Sequence, residues 1–372
     1  MFRAHKIRLY PNNVQKTYFA KACGTARYAY NWALDEWKRL YELGEKVNEG
    51  ILRKRLNAIK HEKYPWMLEV TKCAPQLAIK NDLNNAFRNF FRGLKQGKNV
   101  GYPKYHKKGV NDSFSISNDQ FQIRGNSVKI PNLGWVKLAE ELRFDGKILS
   151  AAISRIADKW FIAIQVEIPD EVIPNRENQA IGVDLGIKTL AVLSDGTEFI
   201  SSKASKKYKK KLKRLNQSLS RKAGTQKGEK RSNNFKKAKR KLSRLYAKMA
   251  NLRADETHKL TAKLTKTYTL IGIENLNVKG MMSNHKLANS IADMSFFEFR
   301  RQLEYKADAI GTKIVVADQW YPSSKTCSAC GAIKNKNDMP LSVRIYECKC
   351  GFVCDRDVNA AMNLKNYALQ HS

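Results

Sequence analysis

Three carboxylates occur where the surrounding sequence is apolar. Asp184 interrupts the run IGVDLG, Glu274 ends the run LIGIEN, and Asp357 stands at the start of VNAAMNLKNYAL. An ionised side chain within a buried strand or helix costs several kcal/mol unless a partner or a metal ion compensates its charge. One such acid is usually a salt bridge or a helix cap, whereas three in one chain indicate a site that binds positive charge.

Clustered carboxylates suit Mg²⁺ or Mn²⁺, because these ions prefer hard oxygen ligands. Two such ions can activate water and stabilise the leaving oxygen in phosphodiester hydrolysis. The elements that carry the acids follow the order strand, hairpin, helices, strand and helix, which matches the RNase H-like fold. In that fold the acids lie on the central strand, at the end of an adjacent strand and at the last helix. We therefore predict a metal-dependent nuclease site formed by Asp184, Glu274 and Asp357.

The third acid has a rival, since Asp355 lies two residues before Asp357. An apolar stripe predicts that the last helix starts within a residue of position 358; its members are Val358, Ala361, Leu364 and Ala368. Asp357 would then be the N-cap or the first residue, where free amides and the helix dipole favour an ionised carboxylate. Asp355 is expected at the exit from the preceding cysteine-rich segment, paired with Arg356.

The cysteine pattern indicates a second metal site. Cys327-x-x-Cys330-Gly and Cys348-x-Cys350-Gly have the form of the two knuckles of a tetrahedral zinc site. The total of seven cysteines is odd and no secretory signal is present, which argues against disulfides. The second pair is shorter than the usual C-x-x-C, so Cys354 stays open as an alternative ligand. A redox pair would need a neighbouring thioredoxin-like βαβ pattern, which is missing.

The charge of the chain points to a polyanionic partner. The sequence has 69 Lys and Arg against 34 Asp and Glu, a formal charge of +35. Nucleic acid fits this excess, because neutralising phosphates releases condensed counterions. A membrane surface is the rival, but the sequence has neither an apolar run long enough to span a bilayer nor a signal-peptide pattern after Met1. We expect the protein in the cytoplasm, associated with the nucleoid.

The amino-terminal half predicts one strand over residues 2–10 and amphipathic helices around residues 30–41 and 79–94. A basic, aromatic-rich loop follows at 101–109, which holds phosphates and bases or is a solvated connector. From Ser113 to Asp170 the apolar period changes to two, which favours a small antiparallel barrel.

The carboxyl-terminal half begins after a polar segment at 171–179, which is a plausible linker. Residues 203–248 carry 20 Lys and Arg against one acid, Glu229, and their leucines still repeat at helical spacing. This pattern predicts a basic helical pair with a loose middle between Ala223 and Ser232, facing nucleic acid. Its candidate phosphate contacts are Lys209, Lys210, Lys211 and Lys213.

Four blocks in this order carry a family resemblance: GVDLGIKTLAVLSDG, IGIENLNVKGM, SKTCSACG and CDRDVNAAMNL. The amino-terminal FRAHKIRLYPNNVQKTYF and GYPKYHKK are similar as well. Together they resemble TnpB, the OrfB protein of insertion sequences, a family of RuvC-like RNA-guided endonucleases related to type V CRISPR nucleases. The resemblance covers essentially the whole chain.

The resemblance implies an α+β multidomain architecture: a small wedge β-barrel with a helical recognition insertion, then an RNase H-like (RuvC) nuclease domain with an inserted zinc ribbon. In order, the implied segments are 1–12 and 111–178 for the wedge, 13–110 for recognition, 179–326 and 352–372 for the nuclease, and 327–351 for the ribbon. It implies Mg²⁺ or Mn²⁺ at Asp184, Glu274 and Asp357, the last being the acid two residues before Asn359. It also implies structural Zn²⁺ at Cys327, Cys330, Cys348 and Cys350.

The partners implied are a guide RNA from the transposon end and double-stranded target DNA with a short adjacent motif, without a required protein oligomer. By position, Lys72, Gln76 and Lys80 are candidates to meet a DNA groove, since they lie one turn apart at the start of the second recognition helix.

Four other functions would share some of these features. A transposase with a His-x-His metal site is disfavoured, because the six histidines contain no such pair. A nuclease-independent regulator should lack one of the three acids, and all are present. A compact type V CRISPR nuclease shares the chemistry and differs mainly in the source of its guide. A resolvase-like nuclease would act without RNA.

Overall fold

The computed structural model describes residues 1–169, 179–223, 231–335, 337–340 and 342–372. The chain divides into two compact units, Met1–Pro169 and Asp170–Ser372. Most of the predicted linker at 171–179 and of the loose segment between Ala223 and Ser232 lies outside the described residues.

The helices of the first unit follow the apolar stripes of the sequence. They are α1 (Asn13–Glu42), α2 (Glu49–Lys63), α3 (Cys73–Leu77) and α4 (Asn84–Lys95), with a 3₁₀ turn at Pro65–Glu69 and a π-helical turn at Ala78–Leu83. Helix α1 starts with a reciprocal capping box between Asn12 and Gln15. The two predicted helices are confirmed. Helix α2 was not predicted, because only Leu52 and Leu56 of its residues are buried.

The strands of the first unit form two antiparallel sheets. They are β1 (Phe2–Leu9), β2 (Ser113–Ser117), β3 (Gln122–Arg124), β4 (Ser127–Ile130), β5 (Gly134–Lys137), β6 (Lys147–Ile156) and β7 (Lys159–Glu167). One sheet has the order β1-β7-β6-β2 and the other β3-β4-β5. An isolated bridge joins Leu9 to Leu138. The predicted strands are confirmed, while closure into one barrel stays a prediction.

The second unit is built on a five-stranded mixed sheet. Its strands are β8 (Ala180–Leu185), β9 (Ala191–Leu193), β10 (Glu198–Phe199), β11 (Leu270–Ile273) and β12 (Lys313–Val316). Their order is β10-β9-β8-β11-β12. Strand β11 runs parallel to both β8 and β12, whereas β9 is antiparallel to β8 and to β10. The strand that carries Asp184 is therefore central, as an RNase H-like arrangement requires.

Helices and one small hairpin complete the second unit. The helices are α5 (Ala204–Arg221), α6 (Asn233–Thr267), α7 (Val278–Met282), α8 (Ala288–Met294), α9 (Phe296–Ile310) and α10 (Arg356–Gln370), and the hairpin joins β13 (Ile345–Glu347) to β14 (Val353–Asp355). Apolar residues of α6 and α9, including Leu260, Leu264, Phe299 and Leu303, form one core with the central strands. The basic helical pair and the existence of a last helix near position 357 are confirmed. No helix in the described part of the chain has the length and apolar composition needed to cross a membrane.

Two glycines let α10 lie directly on the sheet. Gly182 of β8 and Gly272 of β11 are register partners. A Cβ atom built on Gly182 would lie 1.8 Å from the carbonyl oxygen of Ala361, and one on Gly272 would lie 2.2 Å from that of Leu364. Any larger residue would therefore push the helix away from the strands. This close approach determines where the start of α10 lies relative to the strand ends.

Candidate functional site

The first two acids lie side by side on the sheet face that α10 covers. Asp184 is two residues after Gly182, and Glu274 is two residues after Gly272, so each acid points to the same side as its glycine. That side is the one packed against α10. The repeated Gly-x-acid pattern was present in the sequence, yet its meaning depends on the helix that covers the glycines.

The third acid reaches the same place from α10. Asp357 lies in the first turn of this helix, one turn before Ala361, whose carbonyl faces Gly182. Burial raises the pKa of Asp184 well above its usual value, and the charges of Glu274 and Asp357 raise it further. Burial and the charge of Asp357 also raise the pKa of Glu274. The structure therefore brings all three predicted acids within electrostatic range of one another.

The donor set of this acid cluster fits a divalent cation. These are three half-buried carboxylates that repel each other. Without a cation, burial and this repulsion raise the pKa of Asp184 and Glu274 and favour their protonated forms, whereas a bound cation would favour the ionised forms. They do not form a closed cage: among the described residues, only the four cysteines have ligand atoms that all lie within 4.8 Å. An open carboxylate site suits Mg²⁺, which usually keeps several waters and takes oxygens from a phosphate substrate.

The start of α10 differs from the prediction. The helix begins at Arg356, and its N-cap is Asp355, whose Oδ1 accepts hydrogen bonds from the backbone amides of Asp357 at 2.8 Å and Val358 at 3.2 Å. The prediction that Asp357 is the cap or first residue is wrong, because strand β14 ends at Asp355 and the helix follows it directly. With its side chain free of capping, Asp357 remains available to the acid cluster.

Arg356 does not pair with Asp355 as predicted. Its guanidinium is buried and donates to the carbonyl oxygens of Pro340 at 2.9 Å and Val343 at 3.4 Å, because these carbonyls line the interior of the cysteine-rich segment. Asp357 forms an ion pair with Arg344, with 3.8 Å between Nη1 and Oδ2.

A hydrogen bond from Ser323 orients the second acid. Its hydroxyl donates to Oε1 of Glu274 over 2.5 Å, which is the length of a charge-assisted bond. This bond favours the ionised carboxylate and so opposes the effect of burial on the pKa of Glu274. Sequence reasoning did not identify Ser323, because 49 positions separate it from Glu274.

Two buried asparagines of α10 hold the segment that contains Ser323. The Nδ2 group of Asn363 donates to the carbonyls of Ser323 at 2.8 Å and Thr326 at 2.7 Å. Asn359 donates to the carbonyl of Thr326 at 2.8 Å, and its Oδ1 accepts from the amide of Ser328 at 3.0 Å. The only sequence signal was a pair of amide side chains one turn apart, at Asn359 and Asn363, in the helix that carries the apolar stripe. They link the acid cluster to the first cysteine knuckle, which starts at Cys327.

The four predicted thiols lie together. The sulfurs of Cys327 and Cys350 are 3.8 Å apart, and those of Cys330 and Cys348 are 3.6 Å apart. A tetrahedral zinc–thiolate site with Zn–S bonds of about 2.3 Å requires S–S distances of about 3.8 Å. Each pair is followed by a glycine in the left-handed region, with φ of +76° at Gly331 and +88° at Gly351. The set therefore matches four-coordinate metal geometry.

The short second knuckle still supplies both of its cysteines. The backbone amide of Cys350 is directed at the sulfur of Cys348 and lowers the pKa of that thiol to about 7, which favours the thiolate that a metal needs. Cys354 lies on β14 opposite Tyr346 and is not a member of the four-sulfur group.

The basic helical pair forms a groove of about 730 Å³ between α5 and α6. Eight cationic side chains line it, and no acidic side chain among the described residues does so: Lys211, Arg214, Arg221, Lys222, Lys237, Lys241, Arg244 and Lys248. Of the four predicted contacts, Lys211 faces the groove, whereas Lys209, Lys210 and Lys213 are exposed on the same helix outside it. The sequence predicted a nucleic-acid surface over residues 203–248 but named single contacts only on α5, because only the helix pairing shows which residues of α6 lie opposite them.

Asp293 anchors this helical pair to the rest of the second unit. It is buried on α8 and accepts hydrogen bonds from the backbone amide and hydroxyl of Ser205, both at 2.8 Å, near the start of α5. It also forms an ion pair with Arg253 of α6 at 3.2 Å. One carboxylate thus fixes the base of the groove.

The three candidates for base contacts have different surroundings. Lys72 and Lys80 are exposed, and Lys80 lies in the π-helical turn that separates α3 from α4. Gln76 instead accepts a hydrogen bond from Arg53 at 3.0 Å and donates one to Asn57 at 3.0 Å. Contact of these residues with DNA stays a prediction.

Family profiles match three parts of the chain. Residues 163–285 match a family described as "Probable transposase", residues 296–364 match a "Cas12f1-like, TNB domain", and residues 1–46 match a "Helix-turn-helix domain". The second match runs from α9 to α10 and so contains the thiol cluster and Asp357.

Two curated relatives carry the name "Putative RNA-guided DNA endonuclease". One, from Streptomyces pristinaespiralis, is 33% identical over 97% of this chain and 88% of its own length. The other, InsQ from Escherichia coli (strain K12), is 31% identical over 97% of this chain and 91% of its own length. A viral relative from Acanthamoeba polyphaga mimivirus, named a TnpB-like protein, is 31% identical over 53% of this chain and 38% of its own length.

Among solved structures, the chain resembles one from a cryo-EM structure of a Cas12f1–sgRNA–target DNA complex. The TM-score is 0.56 at 16% identity, and the alignment covers 95% of this chain and 83% of that one. At this identity the likeness supports the fold. The relatives, the matched families and the order of the sequence blocks agree, and the chain belongs to the TnpB family, the OrfB proteins of insertion sequences.

Proposed function

We propose that this protein is a transposon-encoded, RNA-guided DNA endonuclease that hydrolyses target phosphodiesters at the acid cluster of Asp184, Glu274 and Asp357. The observation that carries the proposal is the convergence of these acids on one face of the central strands, in a chain of the TnpB family. A nuclease-independent regulator is disfavoured, because such a protein should lack one of the three acids, and all three are present and lie together. The guide would come from the transposon end, and the target would carry a short adjacent motif.

In this proposal Asp184, Glu274 and Asp357 would hold Mg²⁺ or Mn²⁺, which would supply Lewis-acid activation of water and stabilisation of the leaving oxygen. The protein supplies the geometry. Ser323 orients Glu274 and favours its ionised form, and α10 holds Asp357 beside Asp184. The wedge, recognition, nuclease and ribbon segments inferred from the family stay part of the proposal.

One experiment tests the function directly. The protein is expressed together with its native flanking DNA and purified, and the RNA that copurifies is sequenced. We expect one discrete RNA species and Mg²⁺-dependent cutting of a duplex that matches its variable end. Cutting that persists after the RNA is removed would instead indicate a resolvase-like nuclease. A guide transcribed from a separate CRISPR array would favour the type V alternative.

We expect one zinc per chain at the thiol cluster. Replacing Cys327 and Cys330 together by Ser should remove it, because two of four ligands are lost. The Cys354→Ser variant is the matched control and should keep its zinc, since Cys354 lies outside the four-sulfur group. Metal analysis of the purified proteins decides the matter. Zinc retained in the double variant, or lost in the control, would contradict the assignment.

We expect the affinity for the copurified RNA to depend steeply on salt through the basic helical pair. Replacing Lys209, Lys210, Lys211 and Lys213 by Gln should lower the slope of log K against log [salt] by up to about 3, or roughly 0.7 for each lost contact to single-stranded nucleic acid. Filter binding at several salt concentrations measures the slope.

The control removes the same charge from exposed positions of the second unit outside the groove, by replacing Lys263, Lys266, Lys286 and Lys313 with Gln. This control should change the slope less. An unchanged slope and affinity in the α5 variant would show that this helix does not contact the RNA.

A further inference from the structure

A cavity of about 440 Å³ lies next to the acid cluster and is not used by the chemistry described so far. It opens at the carboxyl ends of β8 and β11, between the segment after Glu274 and the first two turns of α9. Its apolar walls come from both sides: Leu185, Ile273, Leu276, Val278, Phe296 and Phe297. Crevices outside the carboxyl ends of sheet strands are a recurrent place for ligands in α/β folds.

The cavity has an exposed aromatic wall. Phe297 is 72% exposed, whereas its neighbour Phe296 is buried at 2% exposure. Phe296 belongs to the core of the unit, but Phe297 does not. Burial in the core therefore does not account for the position of this ring, and its face is available to a flat partner.

The rim of the cavity carries charges of both signs, with Lys279, Arg300 and Arg301 beside Glu274 and Glu304. Arg300 is held in place by Asn275 at 2.9 Å and Glu304 at 2.8 Å, so its guanidinium plane is fixed. Lys279 forms no ion pair among the described residues. A flat apolar wall, a fixed guanidinium and a free ammonium are the groups that bind an unpaired nucleotide, through stacking of the base and attraction of the phosphate.

Glu274 connects this cavity to the nuclease site, because its side chain belongs to the acid cluster and also lines the cavity. A nucleotide joins its base to its phosphate through a single sugar. A base stacked on Phe297 would therefore leave an adjoining phosphate close to Glu274. This proximity favours the DNA strand being cut over the guide RNA as the occupant.

We propose that this cavity is a nucleobase subsite, which binds one unpaired base of the DNA strand beside the scissile phosphate by stacking on Phe297. The inference rests on the proposed nuclease function and deepens it. Phe297 would hold the strand in register for cutting while taking no part in the chemistry.

The test is a double-mutant cycle between the protein and its substrate, using the full chain with its copurified RNA. Matched target duplexes each carry one abasic residue at a successive position around the cut. With the parent protein, one position should slow cutting by about 5- to 100-fold, the range expected for loss of one stacked base. Phe297→Ala should slow cutting of the intact duplex by a similar factor, and the same abasic residue should then have no further effect.

Two controls separate the subsite from general damage. Phe297→Tyr keeps the ring and should keep both the rate and the sensitivity to the abasic residue. Trp320→Ala removes an aromatic ring that is 83% exposed outside the cavity and should behave like the parent. A thermal unfolding curve for Phe297→Ala should match that of the parent, since the ring is largely exposed.

Several outcomes would overturn the inference. The first is that Phe297→Ala cuts the intact duplex as fast as the parent does. The second is that the rate losses from Phe297→Ala and from the abasic residue multiply, as independent effects would. The third is that Phe297→Ala no longer copurifies with RNA, which would assign the cavity to RNA. If the parent itself fails to cut the intact duplex, the proposed function fails first. A parent that cuts normally but shows no abasic-sensitive position refutes the subsite alone.

Discussion

Asp184→Asn is expected to abolish cutting of both DNA strands while leaving RNA binding and target binding intact. The carboxylate lies at the centre of the acid cluster, and an amide is a poor ligand for Mg²⁺. Losing several kcal/mol of charge stabilisation in the transition state corresponds to a rate loss on the order of 10³-fold or more. Single-turnover cleavage with each strand labelled separately measures the effect.

The stability of this variant provides an independent check. Asp184 is a half-buried acid beside two other carboxylates, so its replacement by the neutral isostere removes repulsion in the metal-free protein. The free energy of unfolding without divalent ions should therefore not fall. An inactive variant that unfolds more easily would indicate a structural role, and persistent nicking of one strand would reveal a second nuclease centre.

Asp357→Asn and Asp355→Asn are expected to have opposite effects on cutting. Asp357 faces the acid cluster and its side chain caps nothing, so its amide variant should fold and bind RNA yet cut neither strand. Asp355 is the N-cap of α10, and Asn caps helices as well as Asp does, so Asp355→Asn should retain substantial activity. The same strand-resolved cleavage assay compares the two variants.

Asp355→Ala completes this comparison, because it removes the cap without testing metal binding. It should lower the free energy of unfolding by about 1 kcal/mol. Thermal or chemical unfolding measures this loss, and Asp357→Asn should show much less of it. If Asp355→Asn is inactive and Asp357→Asn still cuts, the two acids have exchanged roles and the orientation of α10 has been misinterpreted.

The local pattern of residues predicted most elements of the second unit. Continuous apolar runs identified β8 and β11, because a buried strand appears in the sequence as a short run of apolar residues. The basic helical pair was visible for the same reason, since its leucines repeat at helical spacing. The grouping of the four thiols was also predicted from the sequence, because the spacing within each cysteine knuckle involves only a few consecutive residues.

Weak local patterns account for the elements that were missed. Helix α2 buries only two leucines, and α7 and α8 are 5 and 7 residues long, too short for a periodic signal. The predicted first residue of α10 was wrong, because an apolar stripe shows which face of a helix is buried but does not show at which residue the helix begins. Only the hydrogen bonds from the amides of Asp357 and Val358 show that Asp355 is the cap.

By itself, the sequence determined which residue types were available for chemistry: three acids in apolar surroundings, four cysteines in two knuckles and a strongly basic helical segment. The tertiary structure alone decided how they are held. Gly182 and Gly272 admit α10, Ser323 orients Glu274, and Asn359 and Asn363 tie the cysteine knuckle to the acid cluster. Each of these contacts joins residues that lie far apart along the chain, so its geometry exists only after the strands and α10 have packed.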